Sequence, residues 1–147
     1  MAVKRIGNLE RVLISECVKD TPDFGKISKL FEMGADINAV NEFGECTAAI
    51  IFEGYCSLYG GAVRSGYFVP SLLECFFEHG FDVRRHGLKT ISELQNCCYD
   101  KHVRRAIGMI LERRKKIMRN DFAVIVLAIK GFMTRNRKTT APKTDAA

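Results

Sequence analysis

Cysteine and histidine have the most chemistry to offer in this sequence of 147 residues, which holds six cysteines at positions 17, 46, 56, 75, 97 and 98. None forms a CxxC pair. Cys98 and His102 stand four apart and would present two metal ligands from one helix face, with Cys97 or Asp100 nearby. A zinc site needs three or four ligands, and no spacing supplies the others. No nucleophile signature surrounds any cysteine, and no paired acid and base is legible. Most of the cysteines fall inside apolar helical patterns, where a thiol behaves as a small apolar side chain. The sequence thus predicts reduced thiols in a cytoplasmic protein, with no catalytic residue, metal or cofactor. His79, just before Gly80, is expected to complement the negative end of its helix.

Two further groups have binding chemistry. Tyr55, Tyr59 and Tyr67 are interleaved with Gly54, Gly60, Gly61, Ser65 and Gly66, a composition that suits a recognition loop. The same residues also fit an extended helix that packs Tyr55 and Tyr59 as core. No Gly-Lys-Ser/Thr comes after these glycines, which excludes a phosphate loop. The second group is Arg104, Arg105, Arg113, Arg114, Lys115, Lys116 and Arg119, which either track phosphates or form a solvated helix face. Charge is split along the chain: residues 1–100 are net −4 and residues 101–147 net +10. The basic part therefore suits an anionic partner, such as an acidic protein surface or nucleic acid.

These residues need helices to hold them. Apolar residues recur at helical spacing after Asn8, a candidate N-cap, and again after Thr21-Pro22-Asp23, where Ile27, Leu30 and Phe31 share a face up to Gly34. The pattern returns after Pro70, with Leu72, Leu73, Phe76 and Phe77 ahead of Gly80. Thr90 with Glu93 reads as a capping box, Val103 to Met118 as an amphipathic helix, and Asp121 as the cap of an apolar helix ending near Gly131. The longest apolar run, Phe122 to Ile129, is too short to span a membrane. Residues 1–133 are expected to form one helical domain, and 134–147 a disordered basic tail.

The stretch Leu30-Phe31-Glu32-Met33-Gly34-Ala35-Asp36-Ile37-Asn38 resembles the second helix and finger of an ankyrin repeat. Leu72 to Val83 resembles the same boundary in degenerate form, with Phe81 where the family has alanine and Arg84 where it has asparagine. The family's Thr-Pro-Leu-His is missing, and only a shifted Thr47 stands near its place. The two glycines lie 46 residues apart, against a family period of about 33, which points to an insertion over Gly54 to Phe68. The resemblance implies an all-α, ankyrin-like helical repeat solenoid with a C-terminal capping helix. It also implies recognition of another protein through the finger residues Val40, Asn41, Glu42 and Phe43, joined by Tyr55, Tyr59 and Tyr67 of the insertion. Phe43 is expected either to anchor a partner or to fold back on the neighbouring repeat. The alternative function is weak nucleic-acid or acidic-surface binding by the basic C-terminal helices. Within the last apolar helix, Ile125 to Arg135 is similar to the calmodulin-binding IQ motif, with Val126 in place of its glutamine.

Overall fold

A computed structural model describes residues 4–56, 67–97, 101–117 and 129–131, with the side chains of all these except 55, 56, 88, 95–97 and 115–117. The described residues form six helices, α1 (Asn8–Cys17), α2 (Phe24–Glu32), α3 (Thr47–Cys56), α4 (Val69–Glu78), α5 (Val83–Cys97) and α6 (Lys101–Ile117). Among them there is no strand, only isolated bridges that pair Val40 with Arg5 and with Cys46.

Carboxylates set the starts of α1, α2 and α5, and shift all three from the expected residues. Glu10 reaches back to accept the Gly7 N–H at 2.8 Å, so Gly7 is the N-cap of α1 and Asn8 its first helical residue. Asp23, not Thr21, caps α2, because its Oδ1 accepts from the Gly25 and Lys26 amides at 2.9 and 3.2 Å. Asp82 accepts from the Arg85 amide at 3.1 Å and starts α5 at Val83, where the resemblance of Leu72 to Val83 implied a second finger. Thr90 therefore lies inside α5, its hydroxyl donating to the His86 carbonyl at 3.1 Å, and does not begin a helix. Gly54 and Tyr55, expected in an insertion, belong to the last turn of α3. Residues 57–66, Asp121 with most of the last apolar helix, the IQ-like segment except for 129–131, and the tail lie outside the described residues.

The helices enclose one core. α1 packs on α3 and α3 on α5, while α2 packs on α1 and α4 on α6. Aromatic rings join α4 to α2 and α3: Phe76 lies 6.4 Å from Phe31 of α2 and 5.5 Å from Phe52 of α3. Leu13, Ile27, Phe52, Leu73, Phe76, Leu94, Ile107 and Leu111 are fully buried, each contributing about 1.5–3 kcal/mol by removal from water. Ile129 is buried against the same core.

α2 and α4 end alike. Gly34 N–H donates to Phe31 O and Ala35 N–H to Leu30 O, while Gly80 N–H donates to Phe77 O and Phe81 N–H to Phe76 O. This pair of bonds is the Schellman helix stop, and it needs a left-handed residue after the cap. Gly34 and Gly80 supply it with φ of +109° and +86°. Asn38 ties the two turns together, its Nδ2 donating to Gly80 O and its Oδ1 accepting from the Asp82 amide, both at 2.8 Å.

Candidate functional site

The finger, residues 35–46, is held by its own side chains and by the chain before α1. Glu10 is buried, and its Oε2 accepts from the Asp36 amide at 2.9 Å. Burial pushes the Glu10 pKa up, but the amides of Gly7 and Asp36 and the Lys4 ammonium at 3.5 Å outweigh it and hold the carboxyl below its usual range. One arm is fixed where Val40 N–H donates to Lys4 O at 2.9 Å and Ile6 N–H to Val40 O at 3.0 Å. The other is fixed by Thr47, whose hydroxyl and amide both donate to Ala39 O, at 2.9 and 2.8 Å.

Asn41 builds the tip. Its Oδ1 accepts from the amides of Phe43 and Glu45, both at 2.9 Å, and its Nδ2 donates to Glu45 Oε1 at 3.0 Å. Such a side-chain turn stands in for a backbone turn. Of the expected recognition residues, Val40 and Asn41 are thus partly buried and structural, and Glu42 and Phe43 are exposed. Phe43 does not fold back on its neighbours: it is 78% exposed.

The finger is flanked by two depressions whose lining residues were not among the expected recognition set, Val40, Asn41 and Glu42 excepted. Beside its first arm, a hollow of about 440 Å³ is lined by Arg5, Ile6, Arg11, Ile14, Val40, Asn41, Glu42 and Ile50. Beside its second arm, one of about 250 Å³ is lined by Gly44, Cys46, Arg84, Arg85, His86 and Lys89. Lys89 bridges Glu45 and Glu93 at 3.7 and 3.3 Å. Burial lowers the His86 pKa, and its Nε2 is buried without a hydrogen-bond partner among the described residues. The run Arg84-Arg85-His86 is plain in the sequence. Its placement was hidden because a helix start takes the place of the expected second finger.

The basic C-terminal set is divided by the packing of α6. Arg104 is buried, which corrects its assignment to a solvated or phosphate-tracking face. Arg114 is partly buried, stacks over the Phe77 ring at 4.8 Å and donates to Phe77 O at 3.1 Å. Arg113 pairs with Glu74, and both line a hollow of about 300 Å³ with Glu78, Phe77, Ile110 and Arg114. Arg105 is exposed. Lys115 and Lys116 lie in the last turn of α6, where side chains are not described, and Arg119 lies outside the described residues.

Tyr67 stands 73% exposed just before α4, edge-on to Phe68 at 5.3 Å. The Tyr55 side chain and Tyr59 lie outside what is described. Cys17, Cys46 and Cys75 are free thiols, and burial raises the pKa of each, Cys75 to about 11. Cys75 Sγ lies 3.8 Å from His79 Nδ1, but that nitrogen is 2.9 Å from the Cys75 carbonyl, and the ring stacks on Phe31 with centroids 4.1 Å apart. His79 therefore finishes α4, and a thiol held near 11 is protonated at neutral pH. His102 is exposed on α6, and Cys98 lies outside the described residues. Among the described residues no three His, Cys, Asp or Glu side chains are grouped to hold a metal, and no helix is long and apolar enough to cross a membrane. No family model, curated protein or solved structure matches the chain.

Proposed function

We propose that this chain is a non-enzymatic protein-recognition module of the ankyrin-repeat type, with residues 40–44 as part of its docking surface. The observation that carries the reading is Phe43, a large aromatic left 78% exposed at the tip of a turn that Asn41 makes rigid. An aromatic held in place before binding loses little entropy when a partner covers it, which is how binding hot spots are built. The matching helix stops at Gly34 and Gly80 and the packing of α1 on α3 and α3 on α5 support a repeat architecture. Ile129, buried against the core, supports a C-terminal cap. The basic helices are the weaker candidate for the docking surface, since packing or ion pairing engages Arg104, Arg113 and Arg114.

The test is a photo-crosslinking amino acid at position 43, with the same probe at the exposed Val12 of α1 as control, in cells that express the protein. A discrete crosslinked protein from position 43, competed away by the unlabelled wild-type chain and not by Phe43→Ala, is the expected result. Equal crosslinking from both positions, or competition by Phe43→Ala as strong as by wild type, counts against the finger as the docking surface.

A further inference from the structure

The two hollows beside the finger share a charge that runs against their surroundings. Residues 1–100 hold 10 Lys and Arg against 14 Asp and Glu. Yet five of those ten cations, Arg5, Arg11, Arg84, Arg85 and Lys89, line the two hollows, and all five are exposed. Among the described residues the only carboxylate lining either hollow is Glu42. Lys89 pairs with Glu45 and Glu93, and Arg5 donates to the Asn41 carbonyl at 3.1 Å; two arginines line the hollow on each side of the finger. The start of α5 adds the partial positive charge of a helix N-terminus on one side. On the other, Ile6, Ile14 and Ile50 give the hollow an apolar floor.

We propose that the finger docks an extended acidic segment of a partner protein, with carboxylates on Arg5 and Arg11 and on Arg84 and Arg85, and an apolar side chain between them against Phe43. This rests on the reading of the finger as a docking surface and adds the chemistry of what docks. The guanidinium fork matches a carboxylate with two parallel bonds, which a lysine cannot do. Hollows of about 440 and 250 Å³ are of a size to hold side chains. An extended chain turns residues i, i+2 and i+4 to one side, so a segment with acidic, apolar and acidic residues at every other position can present all three to the arginine pairs and Phe43.

The test is selection of random phage-displayed peptides on the intact protein, then competition with a single-stranded oligonucleotide. Enrichment of peptides that combine Asp or Glu with a large apolar residue is expected. Their affinity should fall about tenfold or more in Arg5→Glu/Arg11→Glu and again in Arg84→Glu/Arg85→Glu. These sites are exposed, and unchanged circular dichroism checks that each variant folds. Should one pair fail to fold, Arg→Gln at the same positions, with a smaller loss of affinity, replaces it. The proposal is overturned by selection of basic or uncharged peptides, by no enrichment, by acidic peptides that bind the reversed variants undiminished, or by an oligonucleotide that displaces them at equal charge. If position 43 still crosslinks a partner in any of those cases, the docking surface stands and only its preference for acidic segments falls.

Discussion

The turns after α2 and α4 are made from the same two bonds and a glycine of the same hand, yet one opens into a finger and the other goes straight into a helix. The stop itself is local, and it needs only Gly34 or Gly80 with an apolar residue behind it. The path of the chain beyond each stop is set by the next carboxylate. Asp36 Oδ1 accepts from the Asn38 amide, which keeps the chain in a turn, whereas Asp82 Oδ1 accepts from the Arg85 amide, which begins α5. The finger also needs support from a distance, from Glu10 and the Lys4–Ile6 segment. A helix stop can thus be read from a few residues, while a finger depends on residues far away along the chain.

Removing what both turns share should have the largest effect. Phe76 touches Phe31 and Phe52, so Phe76→Ala should lower the unfolding free energy by about 3–5 kcal/mol in denaturant titration. A smaller loss would mean that α4 does not share one core with α2 and α3. Next comes the link between the turns: Asn38→Ala leaves Gly80 O and the Asp82 amide without their partner and should cost about 1–3 kcal/mol. A double-mutant comparison with Gly80→Ala should show coupling, because the two sites are in contact.

The third effect tests the likeness of the stops directly. A Cβ at Gly34 or Gly80 meets nothing within 4 Å, so the cost of alanine at either is that of the left-handed backbone alone, about 1–2 kcal/mol. The two penalties should agree, and a clear inequality would show that the turns are alike in geometry but not in energy. A smaller effect separates the turns by pH. Because the pKa of folded Glu10 lies below its ordinary value of 4.5, its contribution is present above that value and is lost as pH falls through the folded pKa. Glu10→Gln should therefore flatten the acid side of the stability profile, and the same profile should be unmoved by changes at the second turn. The smallest effect on stability belongs to Phe43→Ala, which should leave the midpoint where it was while abolishing crosslink competition.

The glycine stops and the apolar faces of α2 and α4 were legible because each depends on residues within one or two turns of helix, whereas the sequence left open whether Phe43 stands out or folds back. The starts of α1, α2 and α5 were not, because several polar residues compete for each cap, and the winner is set by which carboxylate reaches free amides. Arg104 was misplaced because a charge on an amphipathic helix is ordinarily solvated, and only the packing of α6 shows it buried. The arginines beside the finger come from opposite ends of the first hundred residues, and no local pattern joins them.

The Asn38 link bears on how this chain tolerates change in length. The carboxamide clamps one turn to the next directly, so the distance between them is set by a side chain and not by how much polypeptide lies between. Lengthening the chain between two turns so clamped costs chain-closure entropy, about 0.6 kcal/mol for each doubling. A spacing of 46 residues between the two glycines is therefore compatible with turns that meet as neighbours.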